Sequence, residues 1–155
     1  MLVEFSWAKD HPLSLIVKAS ILLGGGCLPG KDADPMKACL LKGNAQPEYF
    51  FREGCWITEW ANSAADEDAS IARVRVEPGR TTRPHRLEGT TERYVILEGR
   101  GRVHVEGLPE AEVGPGDVVL IPPGATQNLT NSGERDLLFL AVCTPRFREE
   151  NYQDL

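Results

Sequence analysis

The stretch Gly79-Arg-Thr-Thr-Arg-Pro-His85-Arg-Leu87-Glu-Gly-Thr-Thr-Glu92-Arg-Tyr94-Val-Ile-Leu-Glu-Gly99 decides how this chain is read. It opens on a Pro-Gly turn and closes on Glu98-Gly-Arg-Gly101, with a β-rich run, Arg93–Leu97, between them. A second stretch has the same texture: Gly116-Asp-Val-Val-Leu-Ile-Pro122-Pro-Gly124-Ala-Thr-Gln127-Asn-Leu-Thr-Asn131. Glycine and proline bracket short runs rich in Val, Ile and Leu, which is the pattern of strands joined by tight turns.

Working outward, the same reading extends over the body of the chain. Ile71–Val76 alternates with period two and places Ala72, Val74 and Val76 on one face. Arg102–Glu106 follows Glu98–Gly101, whose glycines suit a hairpin connection. Its valines, Val103 and Val105, are expected to face inward and His104 outward. Asp117–Ile121, Gln127–Thr130 and Cys55–Trp60 read as further strands, and Leu137–Cys143 as a strand apolar on both sides. A short helix is weakly signalled after Pro145. Many short strands with Gly/Pro punctuation, and no helical period over 48–147, predict an all-β, antiparallel sandwich or barrel.

In register, the two decisive stretches resemble the paired signature motifs of the cupin superfamily, and in particular its small single-domain, type-2 conserved-barrel members. Gly79, His85, Glu92 and Gly99 fall on the first motif, and Gly116, Pro122, Gly124 and Asn131 on the second. The resemblance covers roughly residues 55–145. It implies a jelly-roll β-barrel with a pocket at its mouth. It also implies a divalent metal (Mn, Fe or Zn) held by two His and a Glu of the first motif and a His of the second. Two of those four positions differ here: Leu87 and Gln127 stand where the family has His.

The residues themselves leave three readings open. His85, Glu92 and Gln127 supply an imidazole, a carboxylate and an amide oxygen, a set that would hold a metal less tightly than three His and a Glu. Alternatively His85 and Glu92 form a pair that moves a proton. In the third reading all three are a satisfied polar lining of a binding pocket. Tyr94, two beyond Glu92, shares its face and is read equally as a barrel-wall aromatic and as a catalytic phenol. Arg83 and Arg86 flank His85 and are candidate contacts for an anionic ligand. Asn131 and the Pro122/Gly124 pair read as turn chemistry, and Cys143 as core. Trp56 and Trp60 share a strand face suited to core or dimer packing.

Composition sets the outer limits. A chain of 155 residues is one domain's length and can bury a core without disulfides. A net charge of −6, with no lysine beyond Lys42, does not suit nucleic acid. The apolar run Leu13–Leu23 is interrupted by Lys18 and falls short of the roughly 20 residues that span a bilayer. Residues 1–35, ending in the turn-rich Gly24–Pro35, read as a poorly ordered extension, and 36–155 as the barrel domain. Four cysteines without C-x-x-C spacing fit a reducing cytoplasm. The sequence thus predicts a cytoplasmic barrel with a small-molecule ligand, and the resemblance adds a homodimer. Its function is either that of a small metabolic enzyme of isomerase, epimerase or lyase type, or that of a non-catalytic binding module for a sugar-like or anionic metabolite.

Overall fold

The computed structural model describes residues 38–155 apart from 44–45. The expected extension, 1–35, with its apolar run, lies outside the described residues. Eleven strands follow in chain order: β1 (Tyr49–Phe51), β2 (Cys55–Ala61), β3 (Ser70–Val76), β4 (His85–Leu87), β5 (Thr91–Glu98), β6 (Gly101–Val105), β7 (Ala111–Val113), β8 (Val118–Ile121), β9 (Gln127–Asn131), β10 (Leu137–Thr144) and β11 (Tyr152–Asp154). They form a six-stranded sheet, β1-β2-β3-β10-β5-β8, and a five-stranded sheet, β11-β4-β9-β6-β7. Every pairing between named strands is antiparallel. Among the described residues no helix is long and apolar enough to cross a membrane.

The alternation read from the sequence places the core. Val74 and Val76 of β3, Tyr94 and Ile96 of β5, and Leu137 and Phe139 of β10 point inward from one sheet. Val103 and Val105 of β6 and Leu129 of β9 meet them from the other. His104 faces out, as its valine neighbours predict. Asn131 ties the sheets together at one end: its Nδ2 donates to the carbonyls of Val76 and Arg135, both at 2.8 Å. It is a buried cross-sheet clasp as well as a turn residue.

Two local expectations are corrected. Glu98–Gly101 is not a hairpin, because β5 and β6 lie in different sheets and the connection carries the chain across the sandwich. The glycines serve that crossing: Gly99 has φ +86°, and a Cβ there would sit 2.7 Å from the Asp136 carbonyl oxygen. The segment after Pro145 forms no α-helix. It makes a single 3₁₀ turn, Glu149–Asn151, and then β11, which pairs with β4. The short strands β1, β4, β7 and β11 have three residues each, too few to show a period.

Two glycines separate conformational from steric cost. Gly107 has φ +83° and open space for 4 Å around the place a Cβ would take, whereas Gly99 combines positive φ with backbone contact. Gly107→Ala should cost about 1 kcal/mol and Gly99→Ala about 3 kcal/mol, read from urea unfolding of the two variants.

Candidate functional site

One end of the sandwich interior is polar, and the strand registers show why. Ser70, Cys143 and Glu92 are side-by-side partners across β3, β10 and β5, so their inward side chains form a row. In the facing sheet His85 of β4 is the register partner of Gln127 of β9. All five residues are buried. Gln127 bridges the sheets, donating from Nε2 to Glu92 Oε2 at 2.6 Å. The other oxygen of Glu92 faces the Cys143 thiol at 3.7 Å. Gln127 Oε1 is buried without a hydrogen-bond partner.

His85 does not pair with Glu92, as the sequence reading allowed. Its Nδ1 lies 2.9 Å from the Arg83 carbonyl oxygen and its Nε2 3.4 Å from Glu53 Oε1. Its ring stacks on Tyr152, with centroids 5.2 Å apart and planes at 21°. Glu53 sits in the turn between β1 and β2, held by the Arg83 N–H donating to the Glu53 carbonyl at 2.8 Å. Its second carboxyl oxygen lies 3.8 Å from the Cys55 thiol. Sequence reasoning missed Glu53, Tyr152 and Thr82, the last of which accepts the Leu129 N–H. Glu53 lies outside both motifs. Its signal was an acid at a turn between two aromatic-rich segments, Tyr49–Phe51 and Cys55–Trp60.

Of these groups Glu53, Ser70, Thr82, Glu92 and Cys143 open on a cavity of about 60 Å³. At about 10–15 Å³ for each water-sized position, it admits roughly four to six waters or a ligand of similar size. Glu53, Glu92, Thr82 and Cys143 make its polar part, and Tyr94, Phe139 and Val74 belong to its apolar wall. Tyr94 is thus brought to the cavity, packed against Phe139 with ring centroids 4.6 Å apart. Glu59 also lines it, but no Lys, Arg or His does. Neither Arg83 nor Arg86, the candidate anion contacts, lines this cavity. The Arg83 side chain is exposed, and only its backbone serves the site. The Arg86 guanidinium is engaged by Gln153 and Glu88, because alternation along β4 turns it away from His85 and Leu87.

Burial sets the charges. It pushes the Glu92 carboxyl up to about 7, against the opposing hydrogen bonds from Gln127 and Cys143. Burial, then the neighbouring Glu92 charge, pushes Glu53 up to about 8. Burial also holds His85 below its ordinary value, opposed by the Arg83 carbonyl and the Asp154 charge. Both thiols, Cys55 and Cys143, are raised, first by burial, so they are not nucleophiles at neutral pH.

The donor set does not fit the metal expected at His85, Glu92 and Gln127. Leu87 is a hydrocarbon packed with Cys143 and Tyr152. Gln127 turns its NH₂ to Glu92, and His85 Nε2 faces Glu53. Among the described residues, no three His, Cys, Asp or Glu side chains converge to hold a metal ion. The unpartnered Gln127 Oε1 is a single, weak donor.

Comparison with known proteins agrees with the architecture. Residues 72–143 match the family described as Cupin domain. A 72-residue stretch is 38% identical to an oxalate-binding protein of Thermotoga maritima, covering 46% of this chain and 59% of that protein. An 86-residue stretch is 33% identical to an uncharacterized protein of Methanocaldococcus jannaschii, covering 56% and 68%. Similar folds include the nucleoside dehydratase Pac13 (TM-score 0.64, 16% identity, 77% of this chain and 92% of that one). They also include a predicted oxalate decarboxylase of Thermotoga maritima (0.62, 24%, 69% and 99%). With its motifs in register and its two-sheet sandwich, the chain belongs to the cupin superfamily.

The two raised carboxyls make stability pH-dependent. Each keeps its proton above the ordinary value of 4.5 in the folded chain, so between about pH 5 and 8 the native state holds more protons than the unfolded one. Stability then falls as pH rises, by up to about 1.4 kcal/mol per pH unit for each group. His85, held neutral, acts in the opposite sense below pH 6.5. Glu92→Gln removes one descending component, so its urea midpoints at pH 5 and pH 8 should lie closer together than those of the wild type.

Proposed function

We propose that this chain binds a small uncharged, hydroxyl-bearing molecule in the cavity and moves a proton on it without a metal, in an isomerisation or an elimination. The observation that carries this reading is that two buried carboxyls, Glu53 and Glu92, face one cavity, with burial pushing them up to about 8 and about 7. At pH 7 such a pair offers a group able to take a proton beside one able to give one, which is the condition for general acid–base work. Tyr94 and Phe139 supply an apolar wall that orients a ligand and excludes water. Nothing in such a reaction calls for an oxidant or for a redox ion.

The charge of the lining favours a neutral ligand over a dianion. Three carboxyls and no cation line the cavity, so oxalate, the ligand in the name of one relative, would enter against the local field. The relatives differ among themselves in the chemistry their names state, and the barrel alone does not choose between them. A non-catalytic binding module is the second reading, favoured by the polar lining of Ser70, Asn62 and Thr82, which can hold a ligand's hydroxyls without any chemistry. Cytoplasmic residence and a homodimer using the Trp56–Trp60 strand belong to the same proposal. Trp56 is already engaged within the chain by Phe50, Arg75 and Glu77.

Protein purified without an affinity tag should carry no stoichiometric Mn, Fe or Zn by elemental analysis. The double variant Leu87→His/Gln127→His, which restores the family's donor set, should gain it. A full equivalent of metal in the wild type, lost in His85→Ala, would overturn the metal-free reading. In thermal-shift measurements small polyols and sugars should raise the Tm and oxalate should not. Turnover of any responding compound should fall at least about 100-fold in Glu92→Gln, the scale of a lost acid–base group. Binding that persists with no turnover in the wild type would select the module. Light scattering at micromolar concentration should give twice the chain mass, and a clean monomer removes the dimer.

A further inference from the structure

We infer that Glu53 and His85 hold one proton between them as an uncharged pair, carboxylic acid beside neutral imidazole, and that this pair forms the protonated wall of the cavity. Glu53 is the member that contacts the ligand, because it lines the cavity and His85 does not. His85 is a positioning residue, acting on the ligand only through Glu53.

The geometry fixes where the hydrogens go. The Arg83 carbonyl can only accept, so the Nδ1 that sits 2.9 Å from it carries a hydrogen. A neutral imidazole then has its lone pair on Nε2, and Nε2 is the atom 3.4 Å from Glu53 Oε1. A carboxylate there would set two acceptors face to face. A carboxylic acid instead turns its O–H toward the lone pair across this 3.4 Å contact, which shortens to a hydrogen bond when a ligand tightens the site. The alternative, imidazolium beside carboxylate, separates charge in a region where burial disfavours both ions.

Two neighbouring carboxyls favour the same state. From β2 the Cys55 thiol donates toward the other oxygen of Glu53, which by itself favours the ion, as does the Arg52 charge. From β5 the Glu92 charge works against ionisation of Glu53, and so does Asp154 of β11. Asp154 also favours charge on His85, but it is shared with the Tyr152 hydroxyl at 2.8 Å and with Arg52 at 3.8 Å. The face-to-face stack on Tyr152 holds the imidazole plane so that Nε2 keeps its aim. With its O–H turned to His85, Glu53 offers a ligand only acceptor lone pairs, so the ligand atom beside it is a hydrogen-bond donor such as a hydroxyl.

This inference deepens the proposed function and rests on it for the ligand, but it is tested without one. The chain has three histidines, so His11→Gln and His104→Gln assign the spectra by elimination while leaving the site intact. Long-range ¹H–¹⁵N spectra of the full-length protein at pH 7 should show His85 neutral, with its hydrogen on Nδ1 and Nε2 as acceptor. Carboxyl ¹³C spectra, assigned with Glu53→Gln, should show Glu53 protonated at the same pH. Glu53→Leu, which deletes the donor, should shift the Nε2 resonance, and Glu53→Gln, whose NH₂ still donates, should shift it less. An imidazolium at His85, a hydrogen on Nε2 in the neutral ring, or an ionised Glu53 would overturn the inference. These wild-type spectra decide the matter even where a Glu53 variant fails to fold. A failed ligand screen alongside the expected spectra would count against the proposed function alone.

Discussion

The hydrogen bond from Gln127 to Glu92 is the contact on which this end of the molecule depends. It crosses from one sheet to the other in an interior that is otherwise largely hydrocarbon. A carboxyl taken out of water costs free energy unless its oxygens are met, and here an amide and a thiol meet them. Removing either partner leaves a buried group without its complement, which costs more than the bond itself contributes. The sheets are thus spaced by a polar tie at one end and by Asn131 at the other. The apolar side chains fill the space between the ties, and the cavity is what the polar end leaves unfilled.

Two substitutions against the family pattern change what that end can do. Leu87 turns a donor position into packing surface, and Gln127 replaces a lone-pair nitrogen with an amide that is both donor and acceptor. An amide suits a carboxyl partner better than it suits a metal cation. With the donors thinned, burial raises the proton affinity of both carboxyls, and the Glu92 charge adds to the rise at Glu53. A scaffold whose relatives differ in chemistry can be re-tasked in this way without any change in strand order.

Much of this was legible in the sequence. Period-two alternation placed Val74, Val76, Val103 and Val105 inward, and His104 outward. The spacing of His85, Glu92 and Gln127 was enough to bring the three to one end of one barrel. What failed did so for physical reasons. A Gly-x-Gly connection looks alike whether the strands it joins pair or part to opposite sheets, so the β5–β6 crossing read as a hairpin. Arg86 was in fact decidable, since alternation with His85 and Leu87 sends it outward, and closeness in sequence to a histidine counts for less than that alternation. Glu53 carried only its place at a turn between two aromatic-rich segments, because its role arises from a backbone contact to Arg83 thirty residues away.

The last strand carries a consequence for how the protein acquires its site during synthesis. Glu53 comes from the first turn of the described barrel, and Tyr152, which stacks on His85, from the last strand. Nearly the whole domain must leave the ribosome before the imidazole has its stacking partner. High contact order of this kind slows folding. A copy lacking β11 has a barrel's worth of strands but an unbraced histidine, so the imidazole gains the ring that holds its plane only with the final strand.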